Sequence, residues 1–256
     1  MNILFRMEKG IAVCLFSSFF VLACVSHIPG EKAAVSNGDI PLKFTADIHE
    51  ATYTRVAGNG FEENDEVGVF ALVGSSTMKE ERYADNLRFF RTSEKVFESS
   101  EPIYYPDDEV TLRLISYYPY QEEGVNMGES TMSVAVETDQ NLSAGYFCSD
   151  FLVASQNLQS APKGAIALHY DHKFFKLKIA LVGKEGEELQ GILDADPKLS
   201  VCGFYTKAIY DFQKETYSAF SNEKSITPAG KWEIQGDRLS GKEVILIPQE
   251  TTLGYQ

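Results

Sequence analysis

The chain has 256 residues and carries 37 acidic against 23 basic side chains, for a formal net charge of -14. An acidic balance of that size argues against binding nucleic acid, which wants a basic patch, and against lying flat on anionic lipid. The length admits two domains of ordinary size or one large all-β domain, and a 44% apolar share rich in Phe and Tyr is that of a globular protein, not of a disordered one.

The N-terminus is an export signal by pattern. Arg6 and Lys9 precede an apolar run that ends in Leu22-Ala23-Cys24. A positive segment, a short apolar core and a small residue before the cut describe a secretory signal peptide. A cysteine directly after the small residue makes it a lipoprotein signal, in which the new N-terminal cysteine is acylated. The competing reading is a transmembrane anchor. The run from Ile11 to Val25 is too short to span comfortably, and no stop-transfer charges follow. The expectation is a signal over residues 1–23, lipidation at Cys24, and a polar tether over 24–39 holding the folded part off a bilayer.

Downstream, Leu42, Phe44, Ala46 and Ile48 alternate with Lys43, Thr45, Asp47 and His49, the period of a half-buried strand. Thr52 to Arg55 leads into a Gly58-Asn59-Gly60 turn, an acidic bend over Glu62–Glu66 and an apolar run from Val67 to Val73. Further strands are expected at Asn86–Phe90, Ile103–Tyr105, Val110–Tyr117 and Met132–Val136, and the segment Ser149–Ala154 follows. A polar linker is expected over Ser155–Gly164. Beyond it, strands are expected at Ala165–His169, Phe175–Leu181, Leu199–Gly203, Tyr217–Phe220, Trp232–Ile234 and Val244–Ile247. Only Lys184–Leu193 could be helical, weakened by Gly186 and Gly191. Many short strands with turns between them point to β-sandwiches.

The residues carry little chemistry. There is no Gly-x-Ser-x-Gly, P-loop, His-Glu-x-x-His or dinucleotide fingerprint. In His169-Tyr170-Asp171-His172 a strand would put 169 and 171 on one face and 172 on the other, which opposes a three-ligand metal site. The acidic clusters Glu62–Glu66 and Asp107–Glu109 lack calcium-loop spacing. No catalytic residue, metal or cofactor is therefore expected. Tyr117, Tyr118 and Tyr120 read as cross-strand packing ahead of a sugar- or protein-binding platform. After loss of Cys14 and acylation of Cys24, Cys148 and Cys202 remain. Their apolar and aromatic neighbours suit two buried thiols as well as a bridge.

The order of segments resembles the fimbrillin family, the lipoprotein pilus subunits and tip or anchor proteins of Gram-negative gut and oral anaerobes. The matching residues are Thr54-Arg55 before Phe61, Val67-Gly68-Val69-Phe70, Tyr83-Ala84-Asp85-Asn86 and Ile103-Tyr104-Tyr105-Pro106. They continue with Ile115 to Tyr120, Ser149 to Ala154, Leu168 to His172 with Lys176 to Ile179, and Leu246 to Gln249. The resemblance implies two tandem transthyretin-like, Ig-like β-sandwich domains, over 40–162 and 163–256. It implies no catalysis, and export as an acylated precursor to the outer membrane and cell surface. In such pilins an arginine-specific protease removes the N-terminal strand, and the opened groove accepts a strand from another fimbrial subunit. Arg55 is the position to which that cut carries over. Family members usually continue past the Pro-Gln segment, so the second sandwich is expected to be truncated and incomplete, with an exposed edge. The expected role is a non-catalytic shaft, tip or anchor subunit that assembles by strand exchange and supports adhesion to host or bacterial surface ligands. The alternatives are a non-polymerising surface lipoprotein that binds glycan or another ligand and, behind it, a lipid-anchored hydrolase.

Overall fold

A computed structural model describes residues 40–49, 60–106, 110–161 and 163–250; Cys24, Arg55 and the Asp107–Glu109 cluster lie outside them. In chain order the first strands are β1 (Phe44–Ile48), β2 (Glu66–Val73), β3 (Ala84–Arg91), β4 (Phe97–Glu98), β5 (Leu112–Tyr118) and β6 (Thr131–Ala135). A short helix α1 (Ser143–Cys148) precedes β7 (Leu152–Leu158), β8 (Ile166–His172) and β9 (Phe175–Leu181). After α2 (Leu189–Asp194) come β10 (Tyr205–Asp211), β11 (Thr216–Glu223), β12 (Glu233–Gln235) and β13 (Arg238–Leu246). The protein is all-β, as expected.

Seven strands close on themselves in the order β1-β4-β3-β2-β5-β7-β8, the barrel form of a sandwich. Two three-stranded sheets, β11-β10-β6 and β12-β13-β9, form the rest. Pairing runs across the expected division at 162 and 163: β8 joins β1 and β7, while β6 joins β10.

The apolar run of β2 follows from this arrangement, because both of its faces are covered. Val67, Val69 and Ala71 point into the barrel with Leu42, Phe44, Phe89 and Phe97. Phe70 and Leu72 point outward into a second core. β5 divides in the same way: Leu112, Leu114 and Tyr118 face inward, Ile115 and Tyr117 outward. The outer core is completed by Met132 and Val134 of β6, Ala208 and Tyr210 of β10, and Val244 and Leu246 of β13. Arg82 braces the loops beside it. Its side chain is fully buried, its guanidinium donates to the carbonyls of Met78, Val125, Asn126 and Glu129 at 2.7–3.0 Å, and it pairs with Asp85.

Several expectations are corrected. β7 continues to Leu158, into the stretch read as linker, because its residues stay in register with β5 as far as Leu112↔Leu158. The expected strands at Ile103–Tyr105 and Leu199–Gly203 are only isolated bridges, Pro41↔Tyr104 and Val201↔Ile226. β10 went unread, although Thr206, Ala208 and Tyr210 alternate inward. Of the helix expected over Lys184–Leu193 only the end forms, as α2 (Leu189–Asp194), and α1 was not expected. Cys148 and Cys202 are unbridged, and both are exposed where burial was expected. Cys148 ends α1, a helix whose buried residue is Tyr146, and the Cys202 thiol lies 3.2 Å from the Ser225 hydroxyl.

Gly68 shows how closely the barrel and outer core are fitted. It lies opposite Tyr117 on β5, and a β-carbon added there would stand 2.2 Å from the Tyr117 ring. That ring is fully buried, and its hydroxyl lies 2.6 Å from Asn86 Oδ1, to which it donates, and 3.1 Å from the Gln121 carbonyl oxygen. Burial pushes the hydroxyl up to about 12. Because the ring cannot move without breaking those bonds, Gly68→Ala should lower the free energy of unfolding by about 1–3 kcal/mol, the usual cost of overpacking. Urea denaturation would measure it.

Candidate functional site: the seat of the first strand

β1 closes the barrel, and it is bonded unequally on its two sides. Along one edge it runs parallel to β8 in continuous register from Phe44↔Ile166 to Ile48↔Tyr170. Along the other it meets β4 at a single pair, Phe44↔Phe97. Backbone bonds extend the seat at both ends: Leu42 N–H donates to the Ile103 carbonyl and His49 N–H to the Tyr170 carbonyl, each at 2.8 Å.

Inward, Phe44 is 1% exposed and stacks on Phe97 with ring centroids 5.0 Å apart. Phe89 packs against it as well, tilted, with centroids 5.1 Å apart. The aromatic column continues from Phe97 to Phe61 at 5.2 Å, and from Phe61 to Tyr118 at 5.4 Å and Tyr170 at 5.0 Å. Beside it, the buried hydroxyls of Ser116 and Tyr170 share a hydrogen bond of 2.5 Å, and burial raises the Tyr170 pKa.

Outward, the seat is polar. Lys43 pairs with Glu98 at 2.7 Å. Asp47 of β1 lies opposite His169 of β8, and His169 Nδ1 is 2.5 Å from Asp47 Oδ1. His49 Nδ1 is 2.9 Å from Asp171 Oδ1. The His49 and His169 rings are stacked, with centroids 5.3 Å apart and planes 6° apart. All four groups are exposed. As expected, 169 and 171 share the outer face, while His172 turns to Asp150 at 2.8 Å. What sequence reasoning missed is that β1 supplies a second histidine and a second carboxylate to the same place. The only signal was the outward row Lys43, Thr45, Asp47 and His49.

The other candidate residues separate. In the acidic bend, Asp65 accepts from the Glu62 N–H at 2.7 Å and Glu66 pairs with Arg88, so these carboxylates are used in a turn and an ion pair. Tyr117 and Tyr118 are buried in the two cores, in keeping with the packing reading. A cleft of about 680 Å³ lies elsewhere, lined by Asn141, Pro197, Lys198, Trp232 and Lys242 among others. Its Trp232 Nε1–H donates to the Pro197 carbonyl at 2.8 Å. Among the described residues no helix is long and apolar enough to cross a membrane.

Comparison with known proteins defines the class. The fold is similar to that of a candidate cell adhesion protein from Bacteroides ovatus, with a TM-score of 0.57 and 16% identity over 83% of this chain and 79% of that one. A candidate cell adhesion protein from Bacteroides uniformis gives a TM-score of 0.53 and 20% identity over 82% and 76%. In sequence, the chain is 23% identical over 214 residues to Fim1C, a candidate fimbrium subunit of Bacteroides uniformis. That alignment takes in 80% of this chain and 65% of the relative's length. Residues 54–256 match the family model described as fimbrillin-like. The chain belongs to the fimbrillin-like family, whose fimbrial proteins are components of cell-surface appendages.

Because Phe44 is buried against Phe89 and Phe97, Phe44→Ala should cost about 3–5 kcal/mol of stability. Thr45→Ala, one residue on and facing solvent, should stay within about 0.5 kcal/mol of the parent. Equal losses in chemical denaturation would show that β1 does not contribute to the core through its inward face.

Proposed function

We propose that this chain is a lipid-anchored, non-catalytic fimbrial subunit that assembles by exchanging the strand seated at β1. The observation that carries the reading is the seat itself. A five-residue strand lies near the N-terminal end of the described chain, continuously bonded along one edge only, and it closes a barrel that is open without it. Family membership supplies the context of interaction with other fimbrial subunits.

In this reading Cys24 is acylated and holds the precursor in the outer membrane, and residues 24–39 are its tether. Cleavage after Arg55 severs β1 from the body. Removal of β1 uncovers the ladder edge of β8 and the side of the aromatic column at Phe89 and Phe97. An extended segment of another subunit then restores both, by β-augmentation. The two cores correspond to two β lobes, with β6 and β8 each paired into the other half of the sequence. Adhesion to a host or bacterial surface follows from assembly on the cell exterior. A second reading, a surface lipoprotein that binds a ligand without polymerising, draws on the Trp232 cleft, where an indole lies among lysines and an asparagine.

The test is to treat the soluble chain from residue 25 onward with an arginine-specific protease and run it unboiled on a gel beside Arg55→Ala. A ladder that needs Arg55 is the expected outcome. Monomer after a verified cut at Arg55 would overturn strand exchange by this route and favour the ligand-binding reading.

A further inference from the structure

We propose that Asp47, His49 and His169 form a binding site for a divalent transition-metal ion, of which zinc(II) is the natural probe. The inference stands apart from strand exchange and does not rest on it. It departs from the expectation of no metal, because that expectation weighed the segment 169–172 and two acidic clusters but not β1 beside β8.

Parallel pairing builds the site. Register places Asp47 opposite His169, and the pleat returns His49 and Asp171 to the same outer face two residues further along each strand. Three side chains, Asp47, His49 and His169, thereby bring ligand atoms within 4.8 Å of one another, from segments 122 residues apart. Two imidazoles and one carboxylate are a donor set suited to zinc and its neighbours, and less so to magnesium or calcium, which prefer oxygen alone. Metal–ligand bonds of about 2.0–2.2 Å put tetrahedral ligand atoms roughly 3.3 Å apart. Closing the set therefore takes movements of about an ångström, which exposed side chains make by rotation about χ angles. Asp171 is placed to orient the site. It meets His49 at Nδ1, which directs the Nε2 of that ring to the ion, the carboxylate–histidine–metal arrangement. The acidic surface of the chain favours a cation there.

Calorimetric titration of the untagged chain with zinc chloride tests this. One zinc per chain is expected, with affinity falling at least tenfold in both His49→Ala and His169→Ala. His172→Ala, whose side chain lies on the other face, should bind as the parent does. Loading with copper(II) gives a second readout, since electron paramagnetic resonance should show two coupled nitrogens in the parent and one in either variant. His49→Asn and His169→Asn, checked for folding by circular dichroism, separate loss of a ligand from loss of structure. No uptake by the parent, or unchanged uptake in both histidine variants, would overturn the site and leave two surface His–Asp pairs.

Discussion

Burial of β2 and β5 on both faces is the constraint on which the rest of the structure depends. A strand covered on one side needs only alternate apolar residues. These two have apolar or closely fitted residues at nearly every position, because one row fills the barrel and the other fills the core shared with β6, β10 and β13. The hydrophobic contribution is correspondingly large, at about 25 cal/mol for each Å² of apolar surface removed from water. The same arrangement leaves little slack. Gly68 is small because Tyr117 crosses it, and Tyr117 crosses it because its hydroxyl must reach Asn86 and Gln121.

β1 contrasts with that centre. Its inward row is anchored by Phe44, but its outward row, Thr45, Asp47 and His49, faces solvent, and β4 offers it only one pairing position. The best-determined part of the barrel is thus the part furthest in strand order from its closing seam. Function in a fimbrial protein can be placed at such a seam without disturbing the double-faced core, since local stability differs across a fold.

The β1 strand was legible from residues 42–49, because a half-buried strand leaves the period of two in plain view. So was the facing of 169 and 171 against 172. What could not be read was pairing. Nothing in residues 42–49 names β8 as the neighbour, so the grouping of Asp47 and His49 with His169 and Asp171 appears only once the barrel is closed. β7 was cut short for a related reason: Ser155, Gln156 and Asn157 look like linker residues, yet they pair with Ile115, Leu114 and Arg113. The thiols of Cys148 and Cys202 were misjudged because neighbouring aromatic residues do not report which way a helix end or a bridge residue turns.

The parallel join between β1 and β8 also sets an order of events as the chain folds. Both strands that flank β1, β4 at 97–98 and β8 at 166–172, lie later in the sequence, whereas β2 and β3 are consecutive and pair with each other. Contacts of long sequence separation are slow to form because the loop-closure entropy must be met first. The β1–β8 ladder therefore cannot form until residues 166–172 have been made, so β1 depends for its longest pairing on a strand more than a hundred residues further along the chain.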